Sequence, residues 1–249
     1  MTAHPTESMA EQYAIAVKDL LDVVQRHEAA RVIEGGRMIA DAVAAGGVVH
    51  IFGAGHSQLV AADGTFRAGG AAWVNGILDP ALSIGRGVQA ATATERIADM
   101  ADGIFRQVYP LECDVTVVVT NSGVTPISVR WAELAQSRGL RVIALTSFAS
   151  MTYFRELGQP DLTNWSDLLI DNHTPVGDAA LPGPEPGLRV GPLSTIANSF
   201  LSHWLAVVAH DVLHDRGRGV EAFRSGHLPD ASKHNEALMG RYRARIDVL

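Results

Sequence analysis

Residues 114–125 read DVTVVVTNSGVT. The first half, Asp114 to Thr120, is a β-branched run without polar–apolar alternation. Such a run fits a parallel strand covered on both faces. The second half breaks into small and hydroxyl-bearing residues. Pro126 then opens a stretch in which Ile127, Trp131, Leu134 and Ala135 recur at helical spacing. Strand, polar loop, helix is the repeating unit of a parallel α/β sheet, whose ligands sit beyond the carboxyl ends of the strands. The stretch therefore predicts both a fold and the place of a site.

Working outward, Val48–Phe52 is a second buried strand, bounded by glycines and followed by the loop GAGHS at 53–57 and a helix from about Ser57. Residues 71–75 (AAWVN), 141–146 (RVIALT, after Gly139) and 167–171 (DLLID) read as further strands. Ahead of the first strand, Ile15, Leu20, Val23, Val24, Ile33, Ile39 and Val43 mark an apolar helical side. Gly35-Gly36 punctuate it, so the expectation is two helices or one interrupted helix over 8–45. Residues 80–91 read as loop. Ile97, Met100, Ala101, Ile104, Phe105 and Val108 predict a helix near 94–108. The Pro- and Gly-rich stretch 174–192 reads as a long loop, a lid or an insertion. A long apolar helix follows over 193–214, then a charged tail, 217–249, with a short final helix. Strands alternating with helices predict a doubly wound parallel sheet.

The chain carries 20 Lys and Arg against 27 Asp and Glu, a formal net charge of −7. That argues against a nucleic-acid or anionic-membrane surface, and any anionic ligand must be held by local groups. Aromatic residues are sparse, so Ala, Val, Leu and Ile build the core. The single cysteine, Cys113, permits no intrachain disulfide and points to the cytoplasm. The opening residues MTAHPTESMAEQ lack the basic-then-apolar order of a secretory leader, and no apolar stretch is long enough to span a bilayer.

The two loops differ in chemistry. GAGHSQ begins like the dinucleotide fingerprint G-x-G-x-x-G but has Gln58 at the third glycine position, and no P-loop is present. In the second loop Thr120, Asn121, Ser122 and Thr125 supply hydrogen-bonding groups. Gly123 permits close backbone approach, and the helix from Pro126 aims its N-terminus at them. That combination suits an anion such as phosphate. The plainer reading makes Thr125 an N-cap with Pro126 at the first helical position. It leaves Thr120, Asn121 and Ser122 unexplained. Ser194 and Thr195 open another helix, where Ser194 either caps it or offers its hydroxyl to the same pocket.

These pieces in order resemble the sugar isomerase (SIS) domain family. TNSGVT at 120–125 is similar to its phosphate loop S-x-S-G-x-T, with Thr120 in place of the first serine. GAGHS at 53–57 is similar to its first sugar-binding loop. RAGG at 67–70, GDA at 177–179 and GPLSTIAN at 191–198 are similar to a stand-alone subgroup whose members carry names such as phosphosugar or phosphoheptose isomerase. The resemblance covers roughly residues 10–215. It implies one SIS unit over 1–249, with helices at 8–45, the core at 46–215 and a tail at 216–249 that contacts a partner subunit. The expected fold is a three-layer α/β/α sandwich on a five-stranded parallel, flavodoxin-like sheet. Ser57, Asn121, Ser122 and Thr125 would bind a sugar phosphate, Ser122 and Thr125 at the phosphate, with Gly55, Thr120, Gly123, Ser194 and Thr195 around them. The family is usually dimeric or tetrameric.

An aldose–ketose isomerase needs an acid/base group near the carbonyl. Glu95, in TATERIAD at 92–99, is the first candidate. The stretch is similar to the E-x-x-E-D of N-acetylmuramic acid 6-phosphate etherases, whose first glutamate is catalytic. The competing reading makes Thr92 and Glu95 a capping box. His56, inside the first loop, is the second candidate, for ring opening or hydroxyl binding. His173 and Asp178 flank the Pro/Gly-rich loop and could close over a ligand, and His234 in the tail could reach a neighbouring subunit. His210-Asp211-Val212-Leu213-His214 resembles a zinc motif with aspartate for glutamate, with His203 on the same stripe. The reading expects neither metal nor cofactor. The favoured function is a phosphosugar isomerase. The alternatives are a non-catalytic phosphosugar sensor or an amino-sugar phosphate lyase or etherase. The segment before the first strand is too short for a basic DNA-binding domain, so a sensor would act through a protein partner. An etherase is disfavoured because no second glutamate follows the first loop, the nearest acid being Asp63.

Overall fold

Ser8 and Glu11 exchange side-chain and backbone hydrogen bonds in a capping box that starts helix α1 (Met9–Ala44). The computed structural model describes residues 8–249; the expectation about a leader falls in part on residues 1–7, outside the described residues. Helix α1 runs unbroken for 36 residues, about 54 Å at the α-helical rise. The expected interruption at Gly35-Gly36 does not occur. A Cβ on Gly35 would lie 2.6 Å from Leu205 Cδ2, and one on Gly36 2.4 Å from Val208 Cγ1. The two glycines let a second long helix lie close against α1, and that packing offsets their low helix propensity.

Strands β1 (Val49–Gly53), β2 (Val74–Gly76), β3 (Val115–Val119), β4 (Arg141–Thr146) and β5 (Leu168–Asp171) form an all-parallel sheet in the order β2-β1-β3-β4-β5. This is the flavodoxin-like order, which reverses direction between β1 and β3. Strand side chains alternate between two cores. Ile51, Val115, Val117, Val119 and Ile143 face α1 and helix α7 (Ser194–Asp215). Phe52, Val118, Val142 and Ala144 face the opposite layer, which holds α4 (Met100–Val108) and α5 (Pro126–Ser137). There Phe52 stacks on Trp131 with ring centroids 4.3 Å apart, and Trp131 Nε1 donates to Thr116 Oγ1 at 3.0 Å. Helices α2 (Ser57–Gly64) and α6 (Phe148–Glu156) follow β1 and β4.

Several boundaries differ from expectation. The second strand pairs only over Val74–Gly76; Ala71, upstream of it, bridges instead to Ala222 of the tail. Residues 80–91 are not plain loop: two 3₁₀ turns lead into α3 (Val88–Thr94), built on an alanine-rich run. The predicted helix 94–108 starts only at Met100, and Ile97 is exposed. The Thr92–Glu95 capping box does not form, because Thr92 is already inside α3 and Glu95 follows its last residue. The stretch 174–192 contains an antiparallel hairpin, β6 (Ala179–Pro182) with β7 (Arg189–Pro192). Four of its Gly and Pro residues, at 183, 184, 186 and 187, are confined to the hairpin turn. Tyr13 of α1 holds the hairpin, its hydroxyl donating to Pro192 O at 2.7 Å.

The tail packs on its own chain. Phe223 and Gly69–Gly70 exchange backbone hydrogen bonds. Helix α8 (Ala231–Tyr242) follows, and Tyr242 and Ile246 are buried. Arg245 reaches Asp114 at the amino end of β3, 2.7 and 2.8 Å from its carboxylate oxygens. Among the described residues no helix is long and apolar enough to cross a membrane.

Candidate functional site

The loops after β1 and β3 leave the sheet on either side of its reversal point, where parallel α/β sheets hold ligands. In the first loop Gly55 takes a left-handed backbone (φ 60°), and its N–H donates to Leu82 O at 2.9 Å. That turn puts His56 and Ser57, at the start of α2, on the wall of a cleft of about 550 Å³.

Across the cleft, Gly123 is also left-handed (φ 70°) and folds the β3–α5 loop back on itself. Three hydroxyls converge there. Thr125 Oγ1 is 2.9 Å from Thr120 Oγ1 and 3.1 Å from Ser122 Oγ, and the latter two are 3.5 Å apart. Thr125 occupies the N-cap position of α5 but makes no side-chain cap bond, so capping does not account for it. The α5 amides are less free than the sequence suggests. Ile127 N–H donates to Glu95 O at 3.2 Å and Ser128 N–H to Thr125 O at 2.9 Å. The polar chemistry at the start of α5 is therefore chiefly the hydroxyl cluster, with the positive end of the helix behind it.

Asn121 and Ser122 both wall the cleft. Asn121 is oriented by residues that sequence reasoning missed. Its Oδ1 accepts from Asn172 Nδ2 and Thr174 Oγ1, each at 2.8 Å, and Asn172 Nδ2 also donates to Asn198 Oδ1 at 3.1 Å. With the oxygen occupied, the Asn121 amide nitrogen is the atom left for a ligand. Ser150 is a second omission. Ser147 caps α6, accepting from Ser150 N–H at 3.1 Å. Ser150, 2% exposed, walls the cleft, and its Oγ has no hydrogen-bond partner among the described residues. The signal was available, since Ser150 lies just past the carboxyl end of β4. Tyr13 and Phe154 also line the cleft, and no local motif marks either.

Glu95 links the two loops. Its carbonyl accepts from the first turn of α5, and its Oε2 lies 3.4 Å from where a Cβ on Gly55 would stand. Burial raises its carboxyl above the ordinary range, against the lowering effect of Arg96 and His56. It does not itself wall the cleft. Ser194 and Thr195 do, but Ser194 is not a cap. Asp178, held at φ 62°, caps α7 by accepting from Leu193 N (3.1 Å), Ser194 N (2.7 Å) and Ser194 Oγ (2.7 Å). Two other expected residues are engaged away from the cleft wall. His173 Nε2 lies 3.0 Å from Glu28 Oε1, and His234 Nε2 donates to Ala222 O at 2.8 Å. On the zinc-like stripe, His203 pairs with Asp63 at 2.7 Å. Among the described residues no group of three or more His, Cys, Asp or Glu is placed to hold a metal.

The SIS domain profile matches residues 12–147, and the chain belongs to the SIS domain family. Relatives that match along nearly their whole length include UPF0309 proteins. That of Streptomyces griseus is 33% identical over 243 residues, covering 96% of each chain. That of Listeria innocua is 30% identical over 243 residues, covering 97% of this chain and 98% of the relative. Two solved structures share the fold. A phosphoheptose isomerase from Neisseria gonorrhoeae has a TM-score of 0.51 at 16% identity, covering 81% of this chain and 96% of that one. One from Francisella tularensis has a TM-score of 0.53 at 17% identity, covering 80% and 95%.

Proposed function

We propose that the cleft binds a sugar phosphate and that the protein interconverts its aldose and ketose forms in the cytoplasm. The observation that carries this reading is the convergence of the Thr120, Ser122 and Thr125 hydroxyls at the start of α5, in a cleft also walled by His56, Ser57 and Asn121. The hydroxyls donate to the phosphate, as the α5 dipole favours negative charge there. Gly55, Ser57 and the Asn121 amide meet the sugar hydroxyls. The solved structures of like fold are named phosphoheptose isomerases, which puts phosphorylated sugars first among ligands to test.

In the proposed reaction Glu95, which stands beside Gly55 rather than on the cleft wall, reaches past the first loop and removes the C2 proton of the open-chain aldose while His56 protonates O1, giving an enediol. Glu95 returns the proton to C1 as His56 takes the O2 proton, leaving the ketose and both residues as they began. Burial of Glu95 suits it to this exchange, because its conjugate acid is less eager to lose the proton again. A second reading, binding without catalysis, is favoured by one observation. The single carboxylate on the cleft wall among the described residues is Asp178, and it is occupied in capping α7.

Thermal denaturation with C3–C7 sugar phosphates, together with solvent deuterium exchange at C2, separates these readings. One phosphorylated sugar at 100 times its Kd should add roughly 2.7 kcal/mol, and its dephosphorylated form should add nothing. Wild type should exchange C2 deuterium, and Glu95→Gln should lose the exchange by about 10²-fold or more while keeping the thermal shift. Binding without exchange in wild type selects the sensor; no shift with any sugar phosphate removes the substrate class.

A homodimer or homotetramer belongs to the same reading. Val207 is 56% exposed beside half-buried Phe200 and Trp204 on the outer side of α7, an apolar face suited to a second copy. Static light scattering that returned one chain's mass at micromolar concentration would rule the assembly out.

A further inference from the structure

Glu28 is the one charged residue that α1 buries. It is 1% exposed, with fully buried Val24 one turn before it and Val32 one turn after. A helix stripe packed on a sheet has no local need of a charge, and burying one is costly unless it is paired and hydrogen-bonded. Both Glu28 oxygens have donors. Arg31 Nη1 donates to Oε1 and Oε2, at 3.1 and 3.0 Å. His173 Nε2 lies 3.0 Å from Oε1, and Asp171 N–H donates to Oε2 at 3.3 Å. Arg31 is a half-exposed surface residue. The other two donors belong to the turn that leaves β5.

That turn presents two side chains to the cleft's own machinery. His173 takes a left-handed backbone (φ 55°), which residues other than glycine seldom adopt. Asp171 Oδ1 accepts from His173 N–H at 2.9 Å and Asn172 Oδ1 from Thr174 N–H at 3.0 Å, two successive Asx turns. Asn172 and Thr174, the neighbours of His173 on either side, are both buried, and they are the residues that occupy Asn121 Oδ1. The His173 backbone thus stands between the two groups that aim the Asn121 amide, and its imidazole is fastened to Glu28. Neither Glu28 nor His173 walls the cleft. Stability is a weak reason for the pair, because an apolar residue of like size in place of a buried ion pair is often neutral or stabilising. We propose that Glu28 is a positioning residue for the cleft: through His173 it fixes the 171–174 turn, and with it the direction of the Asn121 amide that meets the sugar. The sugar contact rests on the function proposed above; the hold on Asn121 does not.

Two variants of the full chain cut the link from opposite sides. Glu28→Leu removes the carboxylate and fills its space, leaving half-exposed Arg31 to water. His173→Asn removes the imidazole with a residue that tolerates a left-handed backbone, so one variant remains if the other fails to fold. The first readout is the pair of ¹⁵N–¹H side-chain signals of Asn121 in the ligand-free protein, assigned by their loss in Asn121→Ser. They should move or broaden in both variants and move far less in Glu28→Gln, whose amide oxygen still accepts from His173. The second is calorimetry. The Kd of fructose 6-phosphate should rise about tenfold in both variants, as for the loss of one hydrogen bond. Inorganic phosphate, held by Ser122 and Thr125, should keep its Kd within about twofold. The double variant should bind no more weakly than Glu28→Leu alone, since the two residues act through one contact. Unmoved Asn121 signals in Glu28→Leu would overturn the proposal. So would additive losses in the double variant, or an equal weakening of phosphate and fructose 6-phosphate, which marks a general loosening of the fold. A wild type that binds no fructose 6-phosphate would count against the proposed function, and the Asn121 signals would then decide the positioning role by themselves.

Discussion

Asp114→Asn should lower the melting temperature by roughly 10 °C. Asp114 is 2% exposed at the amino end of β3. Its carboxylate accepts from Val48 N (2.9 Å), Leu111 N (2.7 Å), His50 Nε2 (3.0 Å) and Arg245 Nη2 (2.7 Å). Asn75 Nδ2 lies 3.1 Å from His50 Nδ1, which makes Nδ1 the acceptor and leaves the Nε2 proton for Asp114. One carboxylate thus joins β1, the turn before β3 and the tail. An amide there turns N–H towards donors and leaves Arg245 without a counter-charge. Breaking a buried pair in this way costs about 3–5 kcal/mol, and each kcal/mol moves the melting point by roughly 2–4 °C at this chain length.

The same site predicts an acid limb. Burial would raise the Asp114 carboxyl, but the bonds from His50, Val48 and Leu111 outweigh it and hold the group at about 2, against an ordinary 3.8. A carboxyl with a depressed folded value stabilises the fold above its unfolded value and ceases to do so as pH falls through the folded one. Wild type should therefore lose about 2 kcal/mol between roughly pH 4 and pH 2 from this group. The Asn variant, lacking the contribution at every pH, should show a shallower fall. Melting curves by circular dichroism from pH 2 to 7 would check both claims; parallel curves for the two proteins would refute the second.

Gly123→Ala should cost both stability and sugar-phosphate affinity. The φ of 70° places the residue where an L side chain is strained by about 1–2 kcal/mol. The new Cβ would also stand 2.6 Å from Met151 Cγ and 2.8 Å from Met151 Cβ. Met151 is 5% exposed, so the loop, rather than a freely swinging side chain, must yield; overpacking of this kind costs about 1–3 kcal/mol. A fall of roughly 5–10 °C in melting temperature follows. Shifting the loop separates Ser122 and Thr125, and on the proposed function their bonds to a charged phosphate are worth about 1.5–3 kcal/mol each. Calorimetric Kd values for the sugar phosphate should rise at least tenfold at a temperature where the variant is folded. Unchanged affinity would mean that this loop does not hold the anion.

Several parts of this picture were legible locally. The β-branched run 115–119 and the glycine-bounded run 48–52 could bury their side chains only inside a parallel sheet, and both became neighbouring strands. The hydroxyls of 120–125 follow such a strand, so their place at the sheet's edge came with the fold. The boundaries that went astray depend on partners distant in sequence. Gly35-Gly36 look like a break until Leu205 and Val208 are set against them. Thr92 and Glu95 look like a capping box until the alanines before them are seen to have already formed the helix. Ser194 looks like a cap until Asp178, across the hairpin, takes the amides first.

By itself the sequence determined the alternation of strands and helices, the two polar loops and the hydroxyl chemistry at the head of α5, because these depend on side-chain periodicity and on neighbours within a few residues. Only the tertiary structure decided which groups face one another. It turned Asn121 through Asn172 and Thr174, brought Ser150 into the cleft, laid the Glu95 carboxylate against Gly55, and tied Arg245 to Asp114 across 131 residues. Those pairings arise from the order in which the strands assemble and from the fit of α1 against α7, and the spacing of residues along the chain carries no record of either.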